Sequence, residues 1–390
     1  MSVALPSTKT DAASVATPST SPAQARSANQ TQASHTPRRR WRAEPGRLLS
    51  APVTLLATAM LLLLSLVVAA SHGPFALGWR DMLQLGTTNT GDVSGAEVFW
   101  HIRAPRLAMG LLAGAALGVS GAMVQGLFRN PLADPGLIGV QAGAALGAAA
   151  FIVLLPLAGW TAAGFHTGWW GLSGAMLGAF AMALLTTAAV WRLARRHGHV
   201  AVTRLLLVGV AVNALAGSAL GLLTHFATDA QLRALTFWML GSLAPSHWLA
   251  VACVAPAVLL TLLLAPRLAA PLDALSLGEA QATLSGVNVA ALQRRCVALA
   301  ALAVAAVTAV IGMVGFIGLL APHLMRLLCG PSHRAVLPGS ALLGASLVLL
   351  ADTAARTALA PAEMPLGVLT GLIGAPTFLW LLRGRANHAF

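Results

Sequence analysis

Between Leu48 and Leu382, long apolar runs alternate with short connections that hold Arg, Gly, Pro and His. A helical span through hydrocarbon needs about 20 apolar residues, within a range of roughly 17–25. Ten runs meet or approach that length: Leu48–Ala70, Leu107–Phe128, Leu137–Leu157, Trp170–Leu193, Leu205–Phe226, Trp248–Leu264, Cys296–Met313, Gly315–Leu328, Leu337–Ala355 and Leu366–Leu382. The stretch Gly312–Pro376 is the most telling, because its apolar segments are broken at short intervals by Gly, Pro, His, Arg and Asp. A soluble core does not need that pattern, and a single lipid anchor does not tolerate it. It suits closely packed helices that stop abruptly and keep polar residues at their ends or against a cavity. The pattern predicts an all-α polytopic membrane protein with about ten transmembrane helices. The eighth run is short, as expected of a Gly-rich, Pro-interrupted helix held inside a bundle.

The arginines orient these runs. Arg38, Arg39, Arg40, Arg42 and Arg47 precede the first run, and arginine clusters hold a chain end in the cytoplasm. With alternating spans, the inside connections carry Arg129, Arg192, Arg195, Arg196, Arg204, Arg267, Arg294, Arg295, Arg326, Arg334, Arg383 and Arg385. The outside ones carry only Arg80, Arg103, Arg106, Arg233 and Arg356. Both termini are therefore expected inside; nine spans would place Arg383 and Arg385 outside and fit worse. Residues 1–46 are rich in Ser, Thr, Ala, Gln and Pro without apolar periodicity, which predicts a disordered cytoplasmic tail. A ten-helix transmembrane domain over 47–385 and a short C-terminal tail, 386–390, complete the organisation.

Composition narrows the function. The chain is 57% hydrophobic and 9% charged, against about 25% charged in soluble domains. A net charge of +13 invites a nucleic-acid reading, but the arginines sit in connections between apolar runs, Tyr is absent and no aromatics interleave with the basic residues. Lys occurs once, at Lys9 in the tail, so the Gly-rich lysine loop of a P-loop ATPase is missing. The chain cannot itself be a P-loop ATPase. Cys253, Cys296 and Cys329 lie far apart, as packing residues rather than a disulfide framework or zinc site. An intramembrane enzyme is the main rival class, yet HExxH and Gly-x-Ser-x-Gly are both absent. A proton-coupled secondary transporter usually needs mid-membrane acids, whereas the acids here cluster at run ends, Asp352 being the nearest exception.

Several residues stand out against the apolar background. Arg103, Arg106 and Arg356 lie at outer ends, where they either snorkel or meet carboxylates. Asp352 and Arg356 are one helical turn apart, the spacing of an ion pair. The connection from Pro266 to Arg295 has a short amphipathic pattern broken by Gly278 and Gly286, with Glu279 between them. In the fifth run, Asn213, Ser218 and Thr224 need hydrogen bonds or water, either between helices or along a path. His323 and Arg326 follow the break at Pro322, while Asn130 and Asp134 read as loop-capping groups. His72, His101, His166, His225, His247 and Met239 fall near outer ends; such side chains can ligate iron, but an interfacial His is also a plain polar tip, and no metal ligand is assigned.

Ordered blocks of sequence carry a family resemblance. Arg103-Ala-Pro-Arg106, GAALGVSGAMVQ (Gly114–Gln125) and RNPLADPG (Arg129–Gly136) come first, then RLLLVG (Arg204–Gly209) and FWMLGS (Phe237–Ser242), then the Gly312–Pro376 stretch. In wording and order they resemble the FecCD-type permeases of ABC importers for iron-siderophores, heme and cobalamin. The resemblance implies a type II ABC importer permease fold, a homodimer with a central path, two ABC ATPase subunits and a periplasmic binding protein, in the inner membrane of a bacterium. It implies that Arg103, Arg106 and Arg356 receive glutamates from the two lobes of that binding protein. It likewise implies that 266–295 is the coupling-helix loop, with Gly278, Glu279 and Gly286 matching the motif that seats on the ATPase. The fifth helix would line the path, with Val202 and Thr203 near a cytoplasmic gate and Asn213 and Ser218 along it. No catalytic residue and no permanently bound cofactor are expected; the partner uses ATP, and heme is cargo. GPSHR (Gly330–Arg334) and APAEMPLG (Ala360–Gly367) look most like heme permeases, which ranks heme before cobalamin and ferric siderophore.

Overall fold

The computed structural model describes residues 49–73, 95–157, 174–196, 199–359 and 362–386. The expected tail, Arg80, His166 and the last four residues fall outside these. The helices are α1 (Ala51–Ser71), α2 (Ala104–Phe128), α3 (Val140–Leu157), α4 (Gly174–Ala194), α5 (Val202–Phe226), α6 (Asp229–Leu240), α7 (Trp248–Ser276), α8 (Glu279–Leu284), α9 (Val289–Ile311), α10 (Ile317–Cys329), α11 (His333–Thr357) and α12 (Leu366–Ala386). A turn of helix (Gly95–Val98) and a π-helical turn (Phe99–Arg103) lead into α2, and a 3-10 turn (Pro135–Ile138) leads into α3. A two-residue antiparallel ladder, β1 (Arg195–Arg196) with β2 (His199–Val200), joins α4 to α5.

Among the described residues, seven helices are long and apolar enough to cross a membrane, and three shorter apolar ones accompany them. These ten coincide with the ten runs read from sequence, the short eighth being α10, 13 residues long. The fold is an all-α polytopic bundle.

Burial sorts the helices into an inner and an outer set. The most apolar window is 78% buried in α2 and in α9 and 72% in α11, but only 22% in α1, 17% in α5 and 28% in α7. Small residues let the inner set close up. A Cβ on Gly118 would run into the Ser340 carbonyl oxygen of α11, and one on Gly121 into the Gly318 carbonyl of α10. Met109, Met123, Leu127, Met325, Leu337 and Leu349 are fully buried on α2, α10 and α11.

Two elements differ from the sequence reading. The connection 227–247 holds a helix, α6, which hydropathy alone passes over because it is short and partly polar. Its signal is a capping box, in which the Thr228 hydroxyl accepts from the Gln231 N–H while the Gln231 side chain accepts from the Thr228 N–H. The sixth span does not stop before Pro266: α7 runs 29 residues through Pro256, Pro266 and Pro271 to Ser276, about 43 Å. Each proline removes one backbone donor, and tight packing of Leu268, Ala269, Leu272 and Leu275 holds the helix together regardless. The expected 266–295 loop thus reduces to α8 and its two joints, since Arg294 and Arg295 already belong to α9.

Candidate functional site

The polar groups gather at opposite poles of the bundle. At one pole the C-terminal end of α1, the start of α2 and the C-terminal end of α11 converge. Arg103 Nη1 donates to Ala70 O at 2.7 Å, and Arg356 Nη2 donates to Ala69 O at 3.2 Å. Both guanidiniums therefore neutralise the unsatisfied carbonyls and negative dipole end of α1. Arg106 forks onto two acids: its Nη2 lies 2.9 Å from Asp352 Oδ1 and 3.0 Å from Glu363 Oε2. Arg356 Nε lies 3.0 Å from Asp352 Oδ2, the i,i+4 ion contact that the spacing suggested, though out of line for a hydrogen bond. Arg103 and Arg356 are each 4% exposed. The three arginines named from sequence are thus brought together, but tied inward, and the most accessible member of the cluster is Glu363. Glu363 lies in the APAEMPLG block, and its only trace in the sequence is that of a lone acid shortly after the arginine-bearing end of α11.

At the other pole, Gly278 (φ 115°) and Gly286 (φ 83°) flank α8, conformations that side chains with a Cβ rarely adopt. Ala282 anchors α8 inward, while Glu279 is exposed and Leu277 and Leu284 stand 75% and 82% exposed. A groove of about 730 Å³ separates α8 from the entry to α5, lined by Val200, Ala201, Glu279, Thr283, Asn288 and Gln293 among others. Nearby, Asp273 of α7 accepts from the His333 N–H at 2.8 Å and from Ser332 Oγ at 3.2 Å, and pairs with His333 Nδ1 at 2.7 Å. It caps α11 from a neighbouring helix, so His333 of the GPSHR block is a structural group.

Along α5 the candidate path residues do not share a face. Asn213 Nδ2 donates to Gly136 O at 3.1 Å, tying α5 to the 3-10 turn. Ser218, five residues on and so about 140° around the helix, is exposed, as is Thr203, while Val202 is half-buried beside the ladder. Gly217 and Gly221 face open space. Asn130 and Asp134 accept from the N–H groups of Leu132 and Gly136 in the loop after α2. Burial pushes the Asp134 carboxyl above the usual range, and the Gly136 bond pulls part of the way back. Gln125 of α2 bonds Arg326 and reaches toward the carbonyls of Gly318 and Leu319, a buried α2–α10 link that no single sequence motif displays. Among the described residues no group of three or more His, Cys, Asp or Glu comes together.

Residues 60–384 match the FecCD transport family. The hemin transport system permease protein HmuU of Yersinia pestis is 42% identical over 336 residues, which are 85% of this chain and 96% of that one. The vitamin B12 import system permease protein BtuC of Shigella boydii is 39% identical over 337 residues, covering 84% and 94%. A solved inward-facing structure of a metal-chelate type ABC transporter superposes with a TM-score of 0.71 at 31% identity, over 86% of this chain and 99% of that one. A permease subunit of an ABC importer is non-catalytic, which sets aside the intramembrane enzyme, and membership of such an importer disfavours the proton-driven carrier. The chain belongs to the FecCD transport family and is a non-catalytic, multi-span membrane permease of an ABC importer.

Proposed function

We propose that this permease passes heme from a periplasmic binding protein into the cytoplasm, as one half of a homodimer served by two ABC ATPase subunits. The observation that carries the cargo is the 42% identity to a hemin permease along 96% of its length. Cobalamin is the second reading, because a vitamin B12 permease follows at 39%. Ferric siderophore ranks third.

In this reading the arginine pole faces the periplasm and both termini face the cytoplasm of a bacterium's inner membrane. Glutamates of the binding protein compete with Asp352 and Glu363 for Arg106 and Arg356, and Arg103, held like Arg356 at the end of α1, completes the docking set. The α8 pole seats on the ATPase: Gly278 and Gly286 set its angle, Leu277 and Leu284 supply apolar contact, and Glu279 meets a basic group. The exposed face of α5, with Thr203 at its entry and Ser218 further along, borders the dimer path. Asn213 holds that helix in place instead of touching cargo. No cofactor stays bound, and ATP is consumed by the partner.

The test is reconstitution of the permease with its ATPase and binding protein in liposomes, scoring ATP-dependent accumulation of heme and of cobalamin inside. Heme accumulation is expected. Cobalamin accumulation without heme overturns the cargo, and uptake of either without the ATPase overturns the mechanism.

A further inference from the structure

The guanidinium of Arg106 is held between two acids of its own chain. On one side Nε donates to Asp352 Oδ1 at 3.1 Å and to Oδ2 at 3.2 Å, and Nη2 donates to Oδ1 at 2.9 Å. On the other side Nη1 donates to Glu363 Oε1 and Nη2 to Glu363 Oε2, both at 3.0 Å. The second pairing is the two-toothed fork of a guanidinium on a carboxylate. The two acids differ in what reaches them: the side chain of Asp352 is 4% exposed and that of Glu363 is 38% exposed. A carboxylate arriving from water therefore meets Glu363 first, and finds the Arg106 fork already filled by a group of its own kind.

The backbone around Glu363 is anchored. Met364 N–H donates to Ala355 O at 3.0 Å, in the last turns of α11, and Leu366 N–H donates to Gly241 O at 2.9 Å, just past α6. Pro365 between them fixes one more φ. The side chain, by contrast, has room: it borders a cavity of about 350 Å³ shared with Trp238, Ser242 and Pro245. Letting go of Arg106 thus takes a change of rotamer and no rearrangement of the segment 362–365, while Asp352 keeps Arg106 compensated. A pair that reaches water opens at little cost, and a buried pair does not. Glu363 is accordingly the displaceable partner of Arg106, and Asp352 the permanent one.

We infer that Glu363 is an internal stand-in for the docking partner's glutamate: it occupies Arg106 while the pole is empty, and docking proceeds by exchanging one carboxylate for the other. This rests on the reading of the arginine pole as the binding-protein face, and adds to it a residue that sets the affinity by bearing the same charge as the partner. The contact is autoinhibitory. It weakens docking and eases release, which suits a delivery protein that must leave once its cargo is handed over. A partly exposed ion pair is worth up to about fivefold in an equilibrium, so removing Glu363 tightens docking by about that factor.

The experiment is titration of the importer's own binding protein onto the permease–ATPase complex in nanodiscs at low salt. Arg106→Gln is expected to weaken docking, and Glu363→Gln to tighten it about fivefold. Glu363→Asp keeps the charge but shortens the side chain by one methylene, which breaks the fork, so it tightens docking as well; a mere loss of negative field at the pole would leave this variant at the wild-type value. In an Arg106→Gln background the gain from Glu363→Gln disappears, because the contested group is gone. Thermal unfolding of each variant separates these shifts from damage to the fold, which lowers affinity instead of raising it. Docking no tighter than wild type in both Glu363 variants, with Arg106→Gln weakened, overturns the inference alone, and so does a gain that persists without Arg106. Unchanged docking in Arg106→Gln overturns the docking role of the pole itself.

Discussion

Helices α2 and α5 are built alike and used oppositely. Each has 25 residues, and each carries glycines at helical spacing within an apolar sequence. In α2 the glycines are consumed inside the chain: Gly114 and Gly118 meet the backbone of α11, Gly121 that of α10, and Arg106 is locked onto Asp352 and Glu363. In α5 Gly209 touches Leu137, but Gly217 and Gly221 meet nothing. The same residue type therefore marks a finished contact in one helix and an open surface in the other. Sequence spacing cannot distinguish the two, because the difference lies in what the rest of the chain brings alongside.

That contrast can be broken or sharpened by substitution. Asp352→Ala should be the most damaging change, since it removes the acid shared by half-buried Arg106 and buried Arg356; a loss of about 3–5 kcal/mol is expected. Thermal unfolding of the purified protein in detergent reads it, and a loss below about 1 kcal/mol, the scale of an exposed pair, would mean that Glu363 and the α1 carbonyls suffice. Gly118→Ala comes next. A methyl there forces α2 and α11 apart, at a cost of about 1–3 kcal/mol in the same assay. The smallest effect on the single chain belongs to Gly221→Ala, where the added methyl enters open space. Stability should be unchanged or rise by up to about 1 kcal/mol, from helix propensity. If a second copy packs on this face, the same variant instead lowers dimer recovery in crosslinking and slows uptake. Equal destabilisation by the two alanines would erase the distinction between the helices.

The order of the spans was legible because length and hydropathy suffice to find a helix that lies in lipid. The ends were less so. Pro266 reads as a stop, yet α7 continues because its neighbours hold it, and α6 announces itself only through Thr228 and Gln231. The arginine pole was half legible. Asp352 and Arg356 sit four residues apart and declare their pairing, whereas Arg106 and Asp352 are 246 positions apart and meet only through the packing of α2 on α11. Asp273 with His333 and Gln125 with Arg326 escaped for the same reason: a polar pair across helices leaves no periodic trace. Asn213 and Ser218 were grouped by polarity, and the helical angle between them separates them.

Helix α7 links the two poles mechanically. It begins at Trp248, whose indole Nε1 donates to Trp100 O at 2.9 Å, three residues before Arg103, and it ends at Ser276, two residues before the Gly278 joint of α8. The helix is continuous over about 43 Å, with Pro256, Pro266 and Pro271 as the places where it can bend, so movement at one tip reaches the other along a single element. If an ATPase seats on α8 as proposed, its push passes through the Gly278 joint into this one helix, and along it to the backbone that carries the first arginine of the opposite face.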